Sequence, residues 1–436
     1  YRTHELGFAL RHVACRGLVL PRRFKTSDYI GMLRELAPEL DACGPGELQA
    51  AALPDLRHVL VMGEGEPVPG THAFDAVASC DDAIALSRMR DVAATLSPHD
   101  AVNIQFTSGT TGAPKGATLT HHNIVNNGFF VGEAMHLTEQ DKLCIPVPFY
   151  HCFGMVLGNL ACVTHGACMV IPGEGFDPLV TLETVQAERC TGLHGVPTMF
   201  IAELEHPRFA EFDLTTLRTG IMAGSNCPIE VMRRVVEVMH MSEVTITYGM
   251  TETSPASFQT TPDDPLERRV DSVGRVHPHV EVKIIDAEGR TVPRGTTGEL
   301  CTRGYSVMQG YWNEPARTAE AIDAEGWMHT GDLATIDADG YCRIVGRVKD
   351  MLIRGGENIY STEVENALYE HPAVSDAAAP TLTQACDASQ ISDTLPAVLQ
   401  AAAQRTQAQA ELAWATELSQ GRKPFAAVVH CLCTAP

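Results

Sequence analysis

The run Thr107-Ser-Gly-Thr-Thr-Gly-Ala-Pro-Lys-Gly116 constrains this chain more than any other segment. Its three glycines, 109, 112 and 116, and its place between elements read as a turn. It follows strand-like residues 102–106 and precedes a stretch of helical character from Thr120 to about Met135. A strand-to-helix turn of this composition suits a phosphate. Its glycines let backbone N–H groups converge on an anion, the hydroxyls of Thr107, Ser108, Thr110 and Thr111 add donors, and Lys115 supplies a point charge. The order differs from the Walker A pattern, and a flexible Ser/Gly linker is the weaker reading because it has no use for one lysine after a proline.

Around this turn, β-branched runs alternate with amphipathic stretches up to about residue 345. Examples are Gly17-Leu-Val-Leu20, Val59-Leu-Val-Met62, Val102-Asn-Ile-Gln-Phe106, Met169-Val-Ile171 and Val244-Thr-Ile-Thr247. That alternation predicts an α/β fold of layered parallel sheets. After residue 270, strands such as Val280-Glu-Val-Lys-Ile-Ile285, Gly298-Glu-Leu-Cys-Thr302 and Tyr341-Cys-Arg-Ile-Val345 are separated by the turns Asp286-Ala-Glu-Gly289 and Asp337-Ala-Asp-Gly340, which predicts a small β-rich subdomain. Residues 143–173 hold no Asp, Glu, Lys or Arg but are interrupted by Pro146, Pro148, His151, Gly154, Gly158 and His165. They predict a buried strand, helix and strand rather than a membrane span. Beyond Pro380 the only glycine is Gly421, and an Ala/Gln-rich tail predicts a helix from about 395 to 419 or disorder.

Composition excludes some partners. The formal charge of −22 argues against nucleic acid and an anionic membrane surface. Fourteen cysteines in 436 residues, with no C-x-x-C pair, argue against a disulfide scaffold or a zinc ribbon and fit reduced thiols in an intracellular compartment.

The ten residues from Thr107 resemble the signature phosphate loop of the adenylate-forming superfamily, and further motifs follow in the family's order. These are Pro148-Phe-Tyr-His-Cys-Phe-Gly154, Tyr248-Gly-Met-Thr-Glu-Thr-Ser-Pro255, Gly310-Tyr-Trp-Asn-Glu-Pro315, Thr330-Gly-Asp332 and Gly346-Arg-Val-Lys-Asp350 with Gly355-Gly-Glu-Asn-Ile359. The chain is most similar in look to acyl-CoA synthetases of the medium-chain, family-member-2 type. The resemblance implies a large AMP-binding domain over residues 1–345, short at its amino terminus, then the hinge and start of a small α+β domain over 346–379. Residues 380–436 form a tail unlike the family.

The resemblance also implies roles. Thr107, Ser108, Gly109, Thr110, Thr111 and Gly112 hold ATP phosphates with Lys115. Gly224 and Ser225 line the base, Tyr248 stacks on adenine, Asp332 accepts ribose hydroxyls, and Arg347 reaches the sugar or a phosphate. Glu252 is the Mg²⁺ ligand and Thr251 a phosphate donor. Asp350 is the hinge, Gly355 and Gly356 line a channel for coenzyme A, and His151, Val196 and Gly249 belong to the acid pocket. Taken singly, each has a plainer reading: a core tyrosine, a surface ion pair, a turn aspartate, a satisfied core histidine.

The implied reaction is ATP-dependent activation of an apolar acid to an acyl-adenylate and then an acyl-CoA, since no aspartate in 148–154 offers to hold a substrate ammonium. Two alternatives stand beside it: an aryl- or amino-acid adenylating enzyme, and a nucleotide- or acyl-binding remnant. The second arises because Lys423 does not match the family's terminal lysine motif. A mitochondrial matrix location follows from the resemblance alone, with the cytoplasm as alternative.

Overall fold

All five residues of the strand Thr219–Ala223 are buried, as expected of a strand covered on both faces. The computed structural model describes residues 2–79, 82–107, 114–225 and 227–348, and the backbone of 352–354 and 357–359. It divides into two compact units, Tyr1–His122 with Met308–Glu320, and the remainder.

In the first unit Gly17–Pro21, His58–Met62 and His72–Ala73 form a parallel sheet. The helix Tyr29–Leu36 is capped by Asp28, whose carboxylate accepts the Gly31 N–H at 3.1 Å. Leu33, Leu40, Leu48, Leu53, Leu56 and Val59 form its core. A second sheet corrects the expected setting of the glycine-rich run. Ala101–Thr107 pairs antiparallel with Lys115–Thr120, Phe106 opposite Gly116 and Thr107 opposite Lys115, and the helix begins only at His121. The run therefore joins two antiparallel strands rather than a parallel layer, and the expected helix from Thr120 to about Met135 follows the second strand as His121–Ala134. The reason is packing: residues 116–120 are all buried, with Gly310–Tyr311 paired along their other edge. A Cβ on Gly116 would stand 2.9 Å from Ile104 Cγ2, so glycine lets the two strands close.

The second unit is built on a seven-stranded sheet in the order Arg275–Val276, Ala256–Gln259, Glu243–Gly249, Thr219–Ala223, Gly192–Leu193, Lys142–Cys144, Cys168–Val170. The last five strands are parallel; the first two are antiparallel additions. The uncharged stretch forms the expected strand, helix and strand. Its helical part runs Phe153–Leu160 as a π-helix and Ala161–His165 as an α-helix, and its two strands are neighbours in the sheet. No helix among the described residues is long and apolar enough to cross a membrane. The β-rich region is a four-stranded antiparallel sheet ordered Val280–Ile285, Gly298–Gly304, Met328–Ile336, Cys342–Arg347. All cysteines among the described residues are free thiols.

Candidate active site

Four neighbouring parallel strands of the second unit end in segments that carry predicted site residues. Lys142–Cys144 leads towards His151, and Gly192–Leu193 leads to Val196 at the start of the helix Pro197–Leu204. Thr219–Ala223 ends in Gly224 and Ser225, and Glu243–Gly249 carries Tyr248 and leads into the 3₁₀ turn Thr251–Thr253 with Glu252. Carboxyl ends of parallel strands are where open α/β sheets bind ligands, because each strand's connection leaves there and opens a crevice.

Local geometry explains the residue types. Gly224 has φ +94°, and a Cβ there would meet Val196 Cγ1 at 3.0 Å, so this turn and the start of the helix Pro197–Leu204 lie side by side. At Gly249 a Cβ would lie 1.7 Å from the Pro255 carbonyl oxygen, where the chain folds back. That return is anchored by Asn127, whose amide donates to the Ala256 carbonyl at 2.7 Å and accepts the Ala256 N–H at 3.0 Å.

Tyr248 is tied to the antiparallel sheet. Its phenol donates to Asp332 Oδ2 at 2.6 Å, while Arg347 Nε lies 3.3 Å from Oδ1 of the same carboxylate. Asp332 and Arg347 are a directly opposed cross-strand pair. The preceding turn is set by Gly331 at φ +72° and by Thr330, whose hydroxyl accepts the Asp332 N–H at 3.1 Å. Burial, with the Asp332 charge beside it, pushes the Tyr248 hydroxyl well above its ordinary pKa, so it is a permanent donor.

His151 is exposed, and its Nδ1 accepts the Phe153 N–H at 3.1 Å, which puts the proton on Nε2. Desolvation lowers its pKa and favours the neutral ring. Cys152 lies beneath, Sγ 3.6 Å from Thr251 Oγ1, and burial raises its thiol to about 11, too high for a nucleophile. Glu252 is 7% exposed. Its carboxylate and the Thr251 hydroxyl are hard oxygen donors, the kind Mg²⁺ prefers. Phe153, Leu157, Ile221 and Ala223 share a buried core cluster against which the partly buried Val196 and Met199 pack.

In the first unit Lys115 opens the second strand of the hairpin, its Nζ 4.9 Å from the Tyr311 ring centroid, and Thr107 closes the first strand. Ser108, Gly109, Thr110, Thr111, Gly112, Asp350, Gly355 and Gly356 lie outside the described residues, as do Lys423 and the predicted tail helix.

The segments that follow these four parallel strands thus meet at the carboxyl edge of an open α/β sheet. The chain belongs to the AMP-binding enzyme family, whose profile matches residues 1–312. It is 50% identical over 377 residues to YngI of Bacillus subtilis (strain 168), which carries a provisional acyl-CoA synthetase name; the match covers 86% of this chain and 68% of that one. It is 45% identical over 383 residues to the mitochondrial medium-chain acyl-CoA ligase ACSF2 of Rattus norvegicus, covering 86% of this chain and 62% of that protein. Among solved structures, the anthranilate CoA ligase AuaEII in complex with anthranoyl-AMP superposes with a TM-score of 0.72 at 26% identity, over 87% of this chain and 68% of that one. The chain thus spans roughly two thirds of the length of these relatives.

Proposed function

We propose that this chain carries the adenylating machinery of an acyl-CoA ligase acting on a fatty acid of medium length. One observation carries the reading: four adjacent parallel strands end in the segments holding His151, Val196, Gly224 with Ser225, and Tyr248 to Glu252. Support for an apolar acid comes from Val196 and Met199, which pack partly buried on the apolar cluster of Phe153, Leu157 and Ile221, and the 45% identical rat relative is named a medium-chain ligase.

In this reading a carboxylate oxygen of the acid attacks the α-phosphorus of ATP, the bond to the bridging oxygen breaks, and pyrophosphate leaves. The sulfur of coenzyme A then attacks the acyl carbonyl and AMP departs. The protein contributes position and charge, the usual means in phosphoryl transfer. Lys115 and the backbone N–H groups of the glycine-rich loop meet phosphate oxygens. Tyr248 gives adenine an aromatic face, and its hydroxyl keeps Asp332 aimed at the ribose. Arg347, about two thirds exposed, neutralises charge beside that sugar. Thr251 donates to a phosphate oxygen. Glu252 would hold Mg²⁺, which when bound neutralises phosphate charge. Neutral His151, with Val196 and Met199, admits the acid and excludes water. Asp350 serves as the hinge for the thioester half, with Gly355 and Gly356 lining the path of coenzyme A.

The test is pyrophosphate exchange by these 436 residues with octanoate, benzoate and amino acids. Octanoate-dependent exchange abolished by Lys115→Ala is expected. Exchange with benzoate or an amino acid alone would overturn the fatty-acid reading, and ATP binding without any exchange would assign a binding role.

A further inference from the structure

The antiparallel sheet holds a second cluster of chemistry that the reaction above does not use. Glu299 and Cys301 lie two residues apart on Gly298–Gly304, and His329 stands directly opposite Cys301 on Met328–Ile336. One ligand atom from each falls within 4.8 Å of the other two. His329 Nδ1 is 3.7 Å from Cys301 Sγ and 3.3 Å from Glu299 Oε2.

We propose that Glu299, Cys301 and His329 form a binding site for a Zn²⁺-class divalent cation. Tetrahedral Zn²⁺ with ordinary bond lengths sets sulfur and nitrogen about 3.6 Å apart and nitrogen and oxygen about 3.4 Å apart. Both separations match the two distances in the protein. One thiolate, one imidazole and one carboxylate select zinc over the hard cations, and three protein ligands leave a fourth position for water.

The surroundings orient each ligand as zinc sites require. Glu299 Oε1 accepts the Gly331 N–H at 3.1 Å, which leaves Oε2 turned to His329. His329 Nε2 lies 3.6 Å from Asp323 Oδ2, a carboxylate behind the imidazole. Asp323 is itself held by its other oxygen, which accepts the Glu325 and Trp327 N–H groups at 2.9 Å each. Lys283 pairs with Cys301 from the adjacent strand, but its ammonium rests on the Trp327 ring, 4.4 Å from the centroid. His329, Glu299 and Asp323 are each about one quarter to one third exposed, so an ion has an entry path, while Cys301 is buried beside Trp327.

The metal-free chain is titrated with Zn²⁺ by calorimetry and with Co²⁺ by absorption. A thiolate-to-cobalt band with tetrahedral d–d transitions is expected, lost in Cys301→Ser. His329→Gln and Glu299→Gln should each weaken Zn²⁺ binding at least 10-fold, and Asp323→Asn about 10- to 100-fold. Because the chain has other thiols, the comparison with the variants decides. Equal Zn²⁺ affinity in parent, Cys301→Ser and His329→Gln would overturn the site, as would the absence of a thiolate band in the parent. Circular dichroism checks the fold of each variant, and should Cys301→Ser fail to fold, His329→Gln decides on the same terms.

Discussion

The phenol of Tyr248 donates to Asp332 Oδ2 at 2.6 Å, joining the last parallel strand of the large sheet to the antiparallel sheet across 84 residues of sequence. Asp332 also faces Arg347, so one carboxylate is held by a phenol on one oxygen and a guanidinium on the other. A residue read from sequence as an aromatic platform thus also holds the Asp332 carboxylate.

Tyr248→Phe keeps the aromatic face and removes the hydroxyl. A hydrogen bond to a charged group in a buried setting is worth about 1.5–3 kcal/mol, and the remaining Arg347 contact offsets part of that. The expected outcome is a loss of about 1–2 kcal/mol in urea denaturation, with weaker ATP binding by calorimetry. Unchanged ATP affinity would reject the aiming role.

Gly249→Ala tests the fold-back after the last parallel strand. The added methyl would sit 1.7 Å from a backbone oxygen, an atom that cannot swing away as a side chain would. Destabilisation of about 3 kcal/mol or more is expected from a shift in the urea midpoint. The neighbouring Met250→Ala should cost far less.

Asn127→Ala leaves both the N–H and the C=O of Ala256 without their side-chain partner in a buried place. The cost should be about 2–4 kcal/mol, the penalty for leaving buried polar groups unsatisfied. Hydrogen exchange at the Ala256 amide should accelerate in step; no change there would show that another group already protects it.

His277 gives the fold a specific acid sensitivity. The ring is buried with neither nitrogen hydrogen-bonded, and desolvation lowers its pKa to about 4. A depressed folded pKa means the unfolded chain binds the proton first. The stability contribution is complete above about pH 6.5 and is lost as pH falls through 4. From the size of that shift the loss is about 3 kcal/mol. His277→Leu should remove this slope between pH 6.5 and 4 while costing little at pH 7.5. An identical pH profile in the variant would show that other groups carry the acid response.

Several of the predicted site residues, Val196, Gly224 and Tyr248 among them, stand at or just after strand ends, and strand ends are written locally. Tyr248-Gly, Ala223-Gly224 and Thr330-Gly331 are breaks that follow β-branched or apolar runs, and the structure ends or bends its strands there. Residues 115–120 show the limit. Lys-Gly-Ala-Thr-Leu-Thr has no strong period, and a window that short does not distinguish a helix start from a strand. Only pairing with Ala101–Thr107 and Gly310–Tyr311, the latter nearly 200 residues away in sequence, makes it a buried strand.

The sequence by itself determined the α/β class, the order of the motifs and the chemical types available at each strand end, because propensity and turn chemistry act within a few residues. The tertiary structure alone decided that the glycine-rich run spans a hairpin, that Tyr248 holds Asp332, and that Glu299, Cys301 and His329 converge. Each of these depends on register between strands far apart in the chain. Register is set by which faces bury together and where backbone can approach backbone, and no local window of sequence contains that information.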